Sequence, residues 1–172
     1  MIDPRYPIGQ WKKPEGITFE MIQSWVKDIS ELPGIIKSLT SDLSDTDLQK
    51  TYRADSWTIK QLIHHLADSH LNAYIRHKLC ITTDQPTINP YNEAEWAQLA
   101  DVKLVPISTS LQLLEALHLR WFSFLFSLSE MDMQRAFFHP QQNRLILMEE
   151  SIGMYSWHGR HHTEHIRNAL KG

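Results

Sequence analysis

The sequence predicts an all-α protein, a four-helix bundle with a long crossover loop between its second and third helices. Three observations predict it. Four long stretches carry apolar residues at helical spacing. Short acidic turns follow the first and third of them, and the stretch between the second and third is broken by Pro86, Pro90 and Pro106. At 172 residues, 42% hydrophobic and 22% charged, the chain fits one domain spanning 1–172 with a sizeable core.

Residues 1–17 hold three prolines and little periodicity, which predicts an extended N-terminal arm. Thr18 is placed to cap a helix whose stripe is Met21, Ile22, Trp25, Val26, Ile29 and Leu32. Pro33-Gly34 interrupts the pattern, but Ile35, Ile36, Leu39 and Leu43 continue it, so one kinked helix is expected. Ser44 to Gln49 suits a short helical turn with carboxylates at its start. Thr58 and Gln61 have capping-box spacing, and the second long helix follows to about Thr82, with Leu62, His65, Leu66, Ser69, Asn72, Ala73 and Arg76 on one side. Asp84 to Ile107 reads as irregular, the length of a lid or binding wall or of a plain crossover. The third helix covers about Ser108 to Leu128 with Leu111, Leu114, Leu117, Trp121, Phe124 and Leu128 inward, and Ser129 to Gln134 repeats the short acidic turn. Phe137 to Leu145 reads as irregular or weakly extended, and the fourth helix fills about Met148 to Leu170.

Composition excludes several classes of function. A formal charge of −3 and the lack of a basic run argue against nucleic acid or an anionic membrane as partner. No stretch has the length of a signal peptide core or a membrane span, and the single cysteine, Cys80, permits no internal disulfide, so a reducing cytoplasm is the expected location. Six glycines form no phosphate loop, and no serine or cysteine stands in a nucleophile elbow.

The ten histidines carry the chemistry. His158 and His162 are one helical turn apart, so their rings stack on one face and can share a metal. A third ligand has to come from elsewhere, and the other dense cluster is His64-His65 with His70. His65 falls on the buried stripe between Leu62 and Leu66; His64 is rotated about 100° from it, toward another helix or solvent. Burying three imidazoles without partners costs about 1–3 kcal/mol each, and a shared divalent metal removes that cost. Core histidines bonded to backbone carbonyls are the competing explanation. His161 and His165 make a second pair one turn apart, and His70 and His165 are either partners that fix a ligand's tautomer or half-exposed surface groups. His77, His118 and His139 have no expected role beyond packing or solvent contact, and Cys80 lies too far from His65 to be a ligand. Such a metal has two uses: lowering the pKa of bound water toward about 7, or holding a thiol as thiolate. Arg76, Trp96, Arg120 and Tyr155 are the candidate substrate-binding residues, each equally explicable as packing or surface charge. The Trp121, Phe122, Phe124 and Phe126 band suits either a dimer interface or the core.

The blocks Trp57-Thr58-x-x-Gln61-x-x-His64-His65-x-x-Asp68-Ser69-His70 and Trp157-His158-x-x-x-His162-x-x-His165-Ile166 resemble the DinB-like metalloprotein family. Tyr6-Pro7-Ile8-Gly9, Asn72-x-Tyr74-x-Arg76, Pro86-Thr87-Ile88-x-Pro90-Tyr91, Leu117-His118-x-Arg120-Trp121 and His139-Pro140 extend the likeness to its YfiT branch, the bacillithiol transferases long labelled metal-dependent hydrolases. The resemblance implies a four-helix bundle, a homodimer, and one zinc or nickel ion per subunit held by His65, His158 and His162. It implies attack of a low-molecular-weight thiol, or of water, on a small-molecule electrophile. A non-catalytic protein with a structural or sensed metal is the alternative. The family pattern supplies no general acid or base.

Overall fold

Hydroxyl side chains set four of the helix starts. In the computed structural model, which describes residues 3–171, Thr18 accepts a hydrogen bond from the Met21 N–H at 3.2 Å. Ser44, Thr58 and Ser129 each form a full capping box, with Asp47, Gln61 and Asp132. The long helices are α1 (Phe19–Thr40), α3 (Ile59–Thr82), α6 (Ile107–Phe126) and α8 (Met148–Lys171). Between them lie α2 (Asp45–Leu48), α4 (Glu93–Trp96), α5 (Ala100–Leu104), α7 (Glu130–Met133) and a hairpin of β1 (Ala136–His139) and β2 (Arg144–Leu147). α1 packs on α6 and α8, and α3 packs on the same two, so α1 and α3 lie on one diagonal of the bundle.

α1 runs as one helix through Pro33-Gly34, as its continuous stripe predicts. Pro33 has no N–H, so the Ile29 carbonyl one turn back loses its intrahelical donor. The polar group that takes its place comes from α6, where His118 Nδ1 lies 2.6 Å from the Ile29 oxygen.

Two stretches are more ordered than the sequence suggests. The 84–107 crossover is interrupted by α4 and α5, because Asn92 caps the first by accepting from the Glu95 N–H, and carboxylates in each first turn favour the helix dipole. Gln61 and Lys60 hold it to the start of α3 by donating to the carbonyls of Ala97 and Lys103. Residues 136–147 form an antiparallel hairpin in which Phe137 faces Ile146 across the strands, both buried. Asn143 takes the positive φ of 49° that closes its turn. Arg135, just before the hairpin, donates to the carbonyls of Cys80 and Thr83 and so satisfies the end of α3.

The core has two clusters. One, around Trp25, Trp121, Phe137, Ile152 and Tyr155, lies toward the hairpin end. The other, around Ile36, Leu62, Leu66, Leu114 and Ile166, lies toward the start of α3. On α3 the boundary between them falls near His70, on α6 between Leu114 and Leu117, and on α8 between Tyr155 and Ile166, the stretch that carries His158 and His162. Within the described residues no helix is long and apolar enough to cross a membrane.

Candidate metal centre

His65 is buried on α3, and the half-buried His158 and buried His162 face it from α8. One nitrogen from each of the three lies within 4.8 Å of the others. His65 Nε2 and His158 Nε2 are 3.2 Å apart. The Trp57 ring packs on His65 at 4.7 Å between centroids and lies 6.4 Å from the His162 ring.

The electrostatics keep these rings neutral. Burial lowers the His65 pKa to about 4. Burial first, and the neighbouring imidazoles second, push His158 and His162 well below the ordinary histidine range. At neutral pH each ring therefore offers a lone pair, the form a metal needs. Two facing Nε2 atoms share a proton when the centre is empty of cations; with both bare they repel unless a cation stands between them. The donor set thus fits a divalent ion, with three imidazoles leaving coordination positions open.

The structure assigns most of the remaining histidines to specific contacts. His64 Nδ1 is 2.8 Å from Ser110 Oγ on α6, so it faces another helix. His70 is fully buried, with its Nε2 3.2 Å from His158 Nδ1, and is no surface group. His165 Nδ1 is 3.3 Å from His162 Nδ1, and its ring stacks on Tyr52. His161, His162 and His165 form a second group of close donor atoms that shares His162 with the first. His118 and His77, read from the sequence as packing residues, are bonded inside the bundle: His118 to Ile29 and His70, His77 to Trp121 and Ser151. The signal that could have found His118 is Pro33, which frees the carbonyl it binds.

His158 also lines a cavity of about 290 Å³ together with Ser69, Arg76, His139 and Tyr155. Arg76 donates to Tyr155 Oη at 3.4 Å and to the Asn89 carbonyl at 3.2 Å. Burial raises the Tyr155 pKa, so its hydroxyl stays protonated. Two of the four candidate substrate residues, Arg76 and Tyr155, are therefore at this cavity and two are not. Trp96 packs on Tyr91 at 4.4 Å between centroids and is otherwise exposed. Arg120 lies on the outside of α6 with its guanidinium over Tyr74, because Leu117, His118 and Trp121 occupy the inner face. Trp11 of the N-terminal arm and Arg144 of β2 also line the cavity, and helix periodicity could not reveal either.

A helical bundle whose second and fourth long helices bring three neutral histidines together beside a cavity has the architecture of a metalloenzyme-type domain. The chain belongs to the DinB superfamily, whose model matches residues 30–166. It is 48% identical over 170 residues to a protein of Oceanobacillus iheyensis named "Putative metal-dependent hydrolase", covering 99% of this chain and 98% of that one. A protein of the same name from Halalkalibacterium halodurans is 47% identical over 169 residues, with 98% of each covered. Among solved structures, YfiT from Bacillus subtilis superimposes with a TM-score of 0.95 and 39% identity, over 99% of this chain and 97% of that one. It is described as "a probable metal-dependent hydrolase with an unusual four-helix bundle topology".

Proposed function

We propose that this chain is a metal-dependent enzyme that brings water or a low-molecular-weight thiol to attack a small-molecule electrophile, with His65, His158 and His162 holding one divalent ion. The observation that carries the proposal is the convergence of three neutral imidazoles beside the cavity that His158 lines. The names of the relatives support the hydrolytic form. The likeness of the histidine and tryptophan blocks to the bacillithiol transferases supports the thiol form.

When bound, the ion would supply Lewis acidity, turning water or a thiol into a nucleophile near neutral pH. Everything else is the work of the chain. His65 on α3 and His158 on α8, whose Nε2 atoms are 3.2 Å apart, would hold the ion together with His162. Trp57 shields His65 from water, and in a drier site each charge interaction is stronger. Arg76, held by Tyr155 and the Asn89 carbonyl, makes no ion pair among the described residues; with Glu93 it brings one charge of each sign to the cavity, and its guanidinium is the group that would meet an anion there. The Tyr155 hydroxyl beside it orients polar atoms of the substrate by hydrogen bonds.

Elemental analysis of purified protein tests the centre. One zinc or nickel per chain is expected in the wild type, and loss of that metal in His65→Ala and His162→Ala. Turnover is then sought with the loaded protein on esters and amides, and with several thiols on epoxides and chlorinated aromatics. Metal retained in both variants refutes the ligand assignment, and a loaded protein inactive on every pair refutes the enzyme.

A further inference from the structure

The ligand His158 belongs to a longer histidine chain that begins at a backbone carbonyl on another helix. Pro33 leaves the Ile29 oxygen without its intrahelical donor, and His118 Nδ1 lies 2.6 Å from that oxygen. A carbonyl only accepts, so the His118 proton is on Nδ1. Burial lowers the His118 pKa to about 4, so the ring is neutral and its Nε2 is bare. That bare nitrogen is 2.9 Å from His70 Nδ1, which accordingly carries the His70 proton. With its proton on Nδ1, the His70 ring has a bare Nε2, and that nitrogen is 3.2 Å from His158 Nδ1. The His158 proton thus resides on Nδ1, and the Nε2 lone pair points at His65 Nε2.

We propose that His118 and His70 are positioning residues for the centre: starting from the carbonyl that Pro33 frees, they fix His158 in the tautomer whose Nε2 lone pair faces His65. The inference rests on the reading of His158 as a ligand. Of the two facing rings, His65 is the one that adapts. With the His158 tautomer fixed, the metal-free protein has His65 protonated on Nε2 and donating to His158 Nε2. Loading then moves the His65 proton to Nδ1, while His158, His70 and His118 keep theirs. A ligand's outer partners of this kind set ring orientation and basicity, and losing one costs about 10–100-fold in metal affinity.

Long-range ¹H–¹⁵N spectra of histidine-labelled protein, recorded metal-free and loaded with zinc, report each tautomer directly. The expected result is Nδ1–H for His118, His70 and His158 in both states, and a change from Nε2–H to Nδ1–H for His65 alone. His118→Phe keeps a ring in the space but breaks the chain at its start. It is expected to weaken zinc binding in a chelator competition by about 10–100-fold and to populate the Nε2–H form of His70 and His158. His118→Gln, whose amide both donates and accepts, is expected to restore most of that loss. An Nε2–H tautomer at His118, His70 or His158 in the wild type overturns the proposal, and so does a folded His118→Phe protein with wild-type zinc affinity. If His118→Phe does not fold, the wild-type tautomers decide. The expected tautomers in a protein that takes up neither zinc nor nickel would sink the metal reading and leave the histidine chain standing, whereas other tautomers with metal bound would sink the chain alone.

Discussion

His77 shows how this bundle keeps its buried imidazoles satisfied. Trp121 Nε1–H donates to its Nδ1 at 3.1 Å, so the ring proton is on Nε2 and is donated to Ser151 Oγ at 2.8 Å. A phenylalanine there strands an indole N–H and a hydroxyl. His77→Phe is therefore expected to lower stability by about 1–3 kcal/mol in urea unfolding, and an unchanged midpoint would show that neither bond matters. Arg120 makes the opposite case. It sits on the outer surface over Tyr74, away from the cavity. Arg120→Ala is expected to keep full metal content and to change stability by no more than about 0.5 kcal/mol, whereas Arg76→Ala lowers turnover once a substrate is known. Equal losses of turnover in both would place Arg120 at the site after all.

At the scale of elements, the approach of α8 to α1 decides where the ligands point. Gly153, Ser156, Gly159 and Thr163 are buried on the side of α8 that carries the contact, and Ser156 donates to Asp28 on α1 at 2.6 Å. A Cβ at position 153 would stand 2.7 Å from the Trp11 ring and 2.8 Å from the Trp25 ring. At position 159 it would meet Leu32 Cδ2 at 2.9 Å, the end of a side chain that can turn. Gly153→Ala is thus expected to cost about 1–3 kcal/mol, and Gly159→Ala less. Thermal melts of the two variants check the order. A larger loss at 159 would mean that Leu32 is as confined as the two indoles.

For the whole molecule the buried histidines predict acid sensitivity. His77 has its pKa lowered to about 3 and His118 to about 4, both by burial, against an ordinary value of 6.5. Below about pH 6.5 the unfolded chain binds protons that the folded chain refuses, so stability is full above that pH and is lost as pH falls. Each such group contributes a slope of up to about 1.4 kcal/mol per pH unit. Asp68 acts in the other sense, since burial raises its pKa to about 6 and its contribution fades as pH rises toward that value. The histidines outnumber it, so the urea midpoint should fall steadily from pH 7 to pH 5; a flat profile would contradict the burial. Binding a metal only to the folded state adds about 2.7 kcal/mol at 100 times the dissociation constant. Because an apolar cluster lies on each side of the centre, chelation should abolish activity while helicity persists. Loss of helicity on chelation would instead make the metal structural.

The sequence by itself determined the four long helices, the caps of the first two and the crossover, because periodicity and capping are local properties that a window of residues contains. It also singled out the stripe of α3 that carries His65 and the helical pair His158 and His162, since ligands on one face of one helix obey the same local rule. The short helices of the crossover and the 136–147 hairpin were not legible, because Asn92 and Asn143 act on backbones whose order depends on what they pack against. Only the tertiary structure decided that α8 faces α3, that Arg76 shares a cavity with His158 while Arg120 does not, and that His118 reaches the carbonyl left open by Pro33. Those relations join residues as many as 93 positions apart, and a hydrogen bond between distant helices leaves no periodic trace in the chain that makes it.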